Sequence, residues 1–167
     1  SKLFYIVIAH SSYDVLFRSR TNRVTPVLNF PEIKKLKGLK TKSGGNGILY
    51  VGVITEGRAI LEILQALKVL KDRNVDFIFH CVGSMSDDVR NKIQDTEVYT
   101  ELKNNILFYG ELPVFEAYKL ADECALGISI LHPLPNYVRS YSTKIFEYMA
   151  IGLPFVVSNF ELYSFVQ

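Results

Sequence analysis

One short stretch, residues 140–147, concentrates the side chains that could bind a charged, hydroxylated ligand. Ser140, Ser142 and Thr143 offer hydroxyls and backbone N–H groups where a helix is predicted to begin, which is a ready site for an anion. Glu147 follows Thr143 by four residues, so both lie on one helix face, about 6 Å apart along the axis. A diphosphate held at the helix N-terminus would bring an attached ribose to this carboxylate, which can accept hydrogen bonds from two hydroxyls. An exposed helical glutamate is the alternative interpretation of Glu147.

Two cations could complete such an anion site. Lys144 stands in the first turn of the predicted helix, where a cation is unfavourable beside the helix dipole unless an anion is brought in from outside. Arg58 stands at or near the start of another predicted helix, at the carboxyl edge of the sheet, where a guanidinium can bind a phosphate through two hydrogen bonds. Taken alone, Arg58 could also be an ordinary surface arginine.

The sequence lacks the common loops that bind nucleotide phosphates. After the predicted strand Ile48–Val53 the chain reads Ile-Thr-Glu-Gly-Arg-Ala, without the Gly-x-Gly-x-x-Gly of dinucleotide-binding proteins. It has no Walker loop either, which argues against NAD-dependent oxidoreductases and P-loop NTPases. His10, His80 and His132 are scattered, so we expect neither a metal site nor another cofactor. We expect His80 to be a core residue, whereas His132 could approach a substrate.

Composition places the chain among globular proteins of ordinary charge. A length of 167 residues is enough for one domain and too short for a second full one. With 49% hydrophobic and 22% charged residues, the chain is expected to fold around a substantial core. The net charge of +2 gives no reason to expect a nucleic-acid partner. Cys81 and Cys124 lie far apart in apolar runs, and we predict that they are reduced core residues of a cytosolic protein.

From residue 48 onward, short β-branched and aromatic runs alternate with helical patterns, which is typical of a parallel sheet with crossover helices. We therefore predict an α/β fold, a Rossmann-like doubly wound parallel sheet. Segment Ser86–Lys103 indicates two short helices, and Thr143–Ala150 indicates a helix that Gly152 stops. The predicted strands are Ile48–Val53, Asp76–Val82, Ile106–Tyr109, Ala125–Ile130 and Pro154–Val157.

The first 45 residues have a different character. Strand candidates at Leu3–Ala9 and Arg23–Leu28 enclose a short helix candidate at Ser12–Arg20. They precede the lysine-rich run Lys34–Lys42, which we interpret as an exposed, mobile loop. A contact with an anionic membrane is the alternative interpretation of these lysines.

The run Ser142–Ser158 resembles the donor-binding motif of retaining glycosyltransferases of the GT-B fold, family 4, also called glycosyltransferases group 1. It reads Ser-Thr-Lys-Ile-Phe-Glu-Tyr-Met-Ala-Ile-Gly-Leu-Pro-Phe-Val-Val-Ser. This is similar to the bacterial surface-polysaccharide members, which carry Lys-aliphatic-aromatic-Glu-Tyr-Met-Ala-x-Gly-x-Pro. Val27–Pro31 resembles the family's hinge segment, Leu49–Gly52 and Phe79–Gly83 resemble two strands of its C-terminal domain, and Ile106–Pro113 resembles the strand and loop that face the nucleotide base.

The resemblance implies roles for the residues that match the motif. Glu147 would bind the donor ribose, and the backbone N–H groups of Ser142 and Thr143 would meet the diphosphate. Arg58 would neutralise that diphosphate, so Glu147 and Arg58 are the catalytic candidates. The donor-binding candidates are Gly52, Arg58, Gly83, Gly110, Glu111, Leu112, Arg139, Ser142, Thr143, Lys144 and Glu147, with Gly110, Glu111 and Leu112 beside the base.

Two positions depart from the family pattern. The family's two glutamates, with seven residues between them, would put the first at position 139, which is Arg139 here. The arginine that is common just after the first-strand glycine is Val53 here. Polysaccharide-type members often lack both, so we interpret the differences as subfamily character. They leave the group that faces the transferred sugar unassigned, with Arg139 as a candidate.

For the whole chain, the resemblance implies the donor half of a two-domain enzyme. Residues 1–45 would form the end of the N-terminal domain and the hinge, and residues 46–167 a C-terminal donor-binding domain that stops short of its own end. Such enzymes transfer a sugar from a nucleotide diphosphate sugar, a UDP-sugar by the subfamily resemblance, to a glycan or lipid-linked acceptor in cell-surface polysaccharide synthesis. Because the acceptor would bind through a missing domain, we expect the chain alone to be inactive. We expect a cytoplasmic location, and a peripheral contact with the inner face of the membrane is left open.

Two other functions share parts of this pattern. A non-catalytic nucleotide-sugar-binding module that acts with a partner chain would have the same donor-binding residues. An epimerase on the same fold is disfavoured, because Lys-Ile-Phe-Glu-Tyr-Met-Ala is similar to the transferases. For the aromatic residues Tyr137, Tyr141 and Phe146 we expect packing roles rather than sugar binding.

Overall fold

The computed structural model describes residues 6–8, 13–17, 23–28, 30–41 and 44–166. Its strands are β1 Ile6–Ile8, β2 Val24–Pro26, β3 Gly47–Val51, β4 Ile78–Val82, β5 Ile106–Gly110, β6 Cys124–Ser129 and β7 Phe155–Val157. Its α-helices are α1 Asp14–Phe17, α2 Ile60–Asp72, α3 Asp87–Gln94, α4 Glu97–Leu102, α5 Val114–Lys119, α6 Pro135–Val138 and α7 Thr143–Ile151.

Five of the strands form one parallel sheet in the order β5-β4-β3-β6-β7. The chain starts this sheet in the middle, at β3, and adds β4 and then β5 on one side. It then crosses back to place β6 and β7 on the other side of β3. Such a reversal defines a doubly wound sheet, so the predicted Rossmann-like α/β fold is confirmed.

Two apolar layers cover the two faces of the sheet, as right-handed crossovers in opposite directions require. Helices α2, α3 and α4 pack on one face, where Phe79 and Cys81 of β4 point. Helices α5 and α7 pack on the other face with Val82, because successive strand residues point to opposite sides. The helix α7 therefore lies over the sheet with its N-terminus at the carboxyl edge of the strands.

The main elements form where the sequence predicted them, with shifted ends. Segment Ser86–Lys103 divides into α3 and α4, and Gly152 ends α7 in the left-handed conformation with φ of 75°. Strand β4 begins two residues after the predicted Asp76, and β6 begins at Cys124, one residue before the predicted start.

The lysine-rich segment is not the free loop that we expected. Its four described lysines are exposed, but Ile33–Leu36 forms a 3-10 turn and Leu36 is buried in the layer of α5 and α7. The Thr41 N–H donates to the Ile151 carbonyl over 3.0 Å, and the Thr41 hydroxyl donates to the Gly152 carbonyl over 2.9 Å. The prediction of a free loop is therefore wrong over residues 34–41, because an apolar anchor and two hydrogen bonds attach this segment to α5 and α7.

The N-terminal residues form a small separate sheet. Strands β1 and β2 pair in parallel, with Ile6 opposite Val24. Strand β2 is shorter than the predicted Arg23–Leu28, whereas residues 3–5 and 9 of the first predicted strand lie outside the described ranges. His10, Asn29 of the hinge-like segment, Lys42 and Gln167 also lie outside them.

Candidate functional site

A pocket of about 380 Å³ opens at the carboxyl edge of the sheet, between the ends of β3 and β6 and the N-terminus of α7. These two strands are neighbours that the chain leaves in opposite directions, which makes this the topological switch point where α/β proteins bind ligands. The residues that line the pocket are Val51, Gly52, Val53, Arg58, Val114, Tyr118, Leu131, Tyr137, Ser140, Tyr141, Ser142, Thr143, Lys144 and Glu147.

Buried hydroxyls fix α7 over this edge. The Ser142 hydroxyl, just before the helix, lies 2.9 Å from the hydroxyl of Ser129 at the end of β6. Nearly two turns further along, the Tyr148 hydroxyl lies 3.2 Å from the Leu49 carbonyl and 3.1 Å from the Ile128 carbonyl. The first N–H groups of an α-helix lack the usual acceptor one turn earlier. In α7 the Ile145 N–H donates to the Ser142 carbonyl over 3.2 Å, which leaves the N–H groups of Thr143 and Lys144 as candidates to bind an anion in the pocket.

Gly52 forms the floor of the pocket just after β3. A Cβ atom at Gly52 would come within 2.8 Å of Lys144 Cε and 2.9 Å of Arg58 Nη1, so both cations reach over this glycine. Gly52 also has φ of 140°, a conformation that side chains disfavour. Beside it, a Cβ at Gly83 would come within 2.1 Å of the Gly52 carbonyl oxygen. The two glycines let the strand ends approach each other and let the cations approach the backbone.

Lys144 is a buried cation in this pocket. The residue is only 8% exposed, and its ammonium lies 5.5 Å from the centre of the Tyr50 ring. Burial, with a smaller contribution from the charge of Arg58, lowers the pKa of Lys144 to about 8, whereas Glu147 acts in the opposite direction. Within the described residues, no carboxylate forms an ion pair with Lys144.

Arg58 reaches the same point from the other side of the pocket. It ends the 3-10 turn Glu56–Arg58 that follows β3, and it is half-buried. Its Nη1 lies 3.5 Å from the Val53 carbonyl, which also accepts a 2.7 Å hydrogen bond from the Tyr50 hydroxyl. Two positive groups thus converge over Gly52, an arrangement that favours a ligand with more than one negative charge.

Glu147 lies one turn along α7 from Thr143 and is half-buried in the pocket wall. Its Oε2 accepts a hydrogen bond from the hydroxyl of Tyr118 on α5. The carboxylate therefore lies where the sequence placed it, with a partner that the sequence did not indicate.

A second pocket of about 270 Å³ adjoins the first and shares the walls Val51, Gly52 and Val53. Gly83, Glu111 and Leu112 line it. Gly110 lies behind it, where its carbonyl accepts a 2.7 Å hydrogen bond from the Gly83 N–H. The structure thus brings the predicted base-side residues next to the predicted phosphate-side residues.

Three polar residues with predicted roles lie outside both pockets. Arg139 is half-buried at the C-terminal end of α6 and lines neither one. His132 lies 3.0 Å from Glu62 on α2 and lines neither pocket. His80 is buried and lies 2.8 Å from the Tyr109 hydroxyl, as expected for a core histidine, and burial lowers its pKa.

Several aromatic side chains of the site were not predicted from the sequence. Tyr50 and Tyr118 were hidden in apolar runs, where a tyrosine gives the same signal as any core residue. Tyr137 and Tyr141, expected to be packing residues, line the first pocket as well. Phe146 packs in an aromatic cluster, edge-on to Phe30 with ring centres 4.8 Å apart.

The described residues contain neither a cluster of potential metal ligands nor a candidate membrane-spanning helix. No group of three or more potential metal ligands occurs among them. None of the described helices is long and apolar enough to cross a membrane.

Two cations at the switch point of a Rossmann-like sheet are typical of α/β proteins that bind phosphorylated ligands. The family model for glycosyl transferases group 1 matches residues 45–166, well over half of the chain. The chain therefore belongs to this family, as the motif in α7 predicted. No curated protein matches the chain significantly.

Solved structures share the fold at low sequence identity. TarM matches with a TM-score of 0.68 and 12% identity, over 94% of this chain and 30% of TarM. Anabaena Alr3699/HepE, in complex with UDP and glucose, matches with a TM-score of 0.65 and 15% identity, over 93% of this chain and 44% of that one. Sucrose-phosphate synthase from Thermosynechococcus elongatus matches with a TM-score of 0.65 and 14% identity, over 95% and 41%. This chain spans less than half of each, and it has the fold of one half of a GT-B glycosyltransferase.

Proposed function

We propose that this chain is the donor-binding part of a retaining glycosyltransferase that uses a nucleotide diphosphate sugar, with a UDP-sugar favoured. The parent enzyme would transfer the sugar to a glycan or lipid-linked acceptor in the synthesis of a cell-surface polysaccharide. Membership of the glycosyl transferases group 1 family supports the transferase class. Retention, the donor base and the surface-polysaccharide role rest on the resemblance of the α7 motif to the polysaccharide-type members.

The observation that carries the proposal is the pair of cations over Gly52. Burying a charge without a counterion is costly, and placing Arg58 beside the buried Lys144 adds repulsion. An anion in the pocket would remove both costs at once. A diphosphate suits this position, because it also accepts hydrogen bonds from the free N–H groups at the start of α7.

The same geometry suggests how the site would assist transfer. When the bond between the sugar and the diphosphate breaks, negative charge accumulates on the departing diphosphate. Arg58, Lys144 and the N-terminus of α7 would stabilise that charge without rearrangement, since they already converge on one point. Glu147 would accept hydrogen bonds from the ribose hydroxyls, and the adjoining pocket beside Glu111 and Leu112 would take the base.

Two structural neighbours support a nucleotide donor of this kind. Structures of S. aureus TarM and of Anabaena HepE contain UDP. We assign UDP to this chain by analogy with them and by the subfamily resemblance of its motif.

Calorimetric titration of the chain tests the proposal. We expect UDP to bind more tightly than UMP and uridine, because the two cations need the second phosphate. Titrations with GDP and ADP test which base the site prefers, and a titration with NAD tests whether it binds a dinucleotide instead. Binding of NAD alone would contradict a transferase donor site.

A substitution of Glu147 tests its assigned role. Glu147→Ala should weaken UDP binding by about 1.5–3 kcal/mol, the range for lost hydrogen bonds to a charged group. The matched control is Glu116→Ala, which removes an exposed glutamate of α5 and should leave UDP binding unchanged. Equal affinities for all three proteins would show that Glu147 is only a surface helix residue.

The alternative of a binding module that works with a partner chain makes the same binding predictions. The two functions differ in the activity of the full-length parent protein: an enzyme transfers the sugar and releases UDP, whereas a binding module does not. Incubating the full-length parent with UDP-sugars and acceptor glycans, and measuring released UDP, separates them.

A further inference from the structure

Tyr118 lies under the carboxylate of Glu147. It is 2% exposed, and its hydroxyl donates a hydrogen bond to Glu147 Oε2. Burial is the main cause that raises the pKa of Tyr118, with the charges of Tyr148 and Glu147 acting in the same direction. The phenol therefore keeps its proton and acts as a donor to the carboxylate.

The sheet itself supports Tyr118. Its ring packs edge-on against Tyr148, with centres 5.9 Å apart, and the Tyr148 hydroxyl lies within hydrogen-bond distance of the Leu49 and Ile128 carbonyls. Gly127 allows this packing, because a Cβ there would come within 2.9 Å of the Tyr148 ring. A continuous set of contacts thus joins strands β3 and β6 to the Glu147 carboxylate.

This support has a consequence for ligand binding. A glutamate on a helix surface samples many rotamers, and fixing them costs up to about 2 kcal/mol of conformational entropy. Tyr118 fixes Glu147 before a ligand arrives and occupies one of the roughly four acceptor positions of its carboxylate. Glu147 lines the pocket, so the remaining acceptor positions of its carboxylate could accept hydrogen bonds from two adjacent hydroxyls of a ligand there.

We infer that Tyr118 is a positioning residue that holds the Glu147 carboxylate in place for the ribose diol and makes the site selective for ribonucleotides. The inference rests on the proposed function, since it requires a nucleotide donor at this pocket. Tyr118 also lines the pocket, but its side chain is almost fully buried and its hydroxyl donates to Glu147 Oε2, so its polar effect on the ligand passes through the carboxylate.

The test compares ligands that contain or lack the diol. In Tyr118→Phe, UDP affinity should fall about three- to tenfold, somewhat less than the loss of a direct hydrogen bond to a charged group. The affinities for 2′,3′-dideoxy-UDP and for pyrophosphate should change less than about twofold, because these ligands lack the diol. A general loosening of the domain would instead weaken all three ligands together.

Tyr148→Phe is the matched control. It removes a hydroxyl from the same buried cluster without touching Glu147, so it should lower stability and leave the ratio of UDP to dideoxy-UDP affinity unchanged. In the double variant Tyr118→Phe, Glu147→Ala, UDP should bind no more weakly than in Glu147→Ala alone. Thermal unfolding of each variant checks that it is folded.

Four outcomes would overturn the inference. Tyr118→Phe could leave UDP affinity intact, or it could weaken UDP and pyrophosphate equally. If Tyr118→Phe does not fold, Glu147→Asp moves the carboxylate away from Tyr118, and loss of all three ligands alike in that variant counts against the inference. If the unmodified chain binds no UDP, the proposed function fails first and the role of Tyr118 fails with it.

Discussion

Replacing Lys144 with methionine should make the protein more stable and make it lose its ligand. Burial, aided by Arg58, lowers the pKa of Lys144 from its usual 10.5 to about 8. Each tenfold change in proton affinity corresponds to ~1.4 kcal/mol, so keeping Lys144 charged at pH 7 costs the folded state about 3 kcal/mol. Methionine has a similar length and carries no charge, so Lys144→Met should recover about that amount.

The pH dependence of this difference identifies its cause. Because the pKa of Lys144 is lower in the folded chain, the unfolded chain binds the extra proton between about pH 8 and pH 10.5. The wild-type protein therefore gains stability through Lys144 as the pH rises across this range. The advantage of Lys144→Met should shrink from about 3 kcal/mol at pH 7 to roughly 1.5 kcal/mol at pH 9.5.

Urea unfolding of both proteins from pH 7 to pH 9.5 measures this difference. Other groups also contribute, including Cys124, because burial raises its pKa from the usual 9 to about 12 and its thiol therefore ionises in this range only in the unfolded chain. They are common to both proteins, so the difference between the two isolates Lys144. Lys119→Met, at an exposed lysine of α5, is the control and should change stability by less than about 0.5 kcal/mol.

The binding side of the experiment completes the argument. Lys144→Met should bind UDP at least tenfold more weakly than wild type, about the value of one charge-assisted hydrogen bond. In the wild type, UDP affinity should fall as the pH rises from 7.5 to 9.5, because Lys144 must hold its proton to bind the anion. A variant that is less stable than wild type at pH 7, or a stability difference that is independent of pH, would show that the buried charge of Lys144 does not destabilise the fold.

Two further substitutions test the floor of the pocket and the core. Gly52→Ala should destabilise the fold by about 1–3 kcal/mol, because residue 52 has a φ of 140° that side chains disfavour. The new Cβ should also displace Lys144 and Arg58 and so weaken UDP binding. Unchanged UDP binding by calorimetry would contradict the position of the two cations over Gly52. Because burial lowers the pKa of His80, the unfolded chain takes up its proton first, so stability should fall as the pH drops below about 6.5. Urea unfolding at pH 5 and 7 should show this loss in the wild type and a smaller one in His80→Gln, and equal losses would show that other groups cause it.

The sequence predicted the fold well because the sheet is buried on both sides. Strands such as β3 and β4 are continuous apolar runs, and turn residues punctuate them clearly. The start of α7 and the position of Glu147 on it followed from helical spacing alone. Helix and strand ends shifted by one or two residues, since the sequence carries only weak signals for terminal hydrogen bonds.

The contacts of the site could not be predicted in the same way. Arg58 and Lys144 meet over Gly52 only because β3 and β6 are neighbours, and strand order is not a local property of the sequence. The role of Tyr118 depends on its hydroxyl, while the hydrophobic pattern reports only its ring. The lysines around Leu36 suggested a free loop, because one apolar residue among charges gives too weak a signal of burial.

The attachment of residues 33–41 to α7 makes this helix a mechanical link. Thr41 holds the last carbonyls of α7, whereas the anion pocket lies at its first turn, roughly 12 Å away for a nine-residue helix. A hydrogen-bonded helix of this length is stiff, so the last turn of α7, where Thr41 binds, and its first turn, which contains Lys144, should move together. We therefore expect a displacement of residues 33–41 to shift the first turn of α7, which lines the pocket.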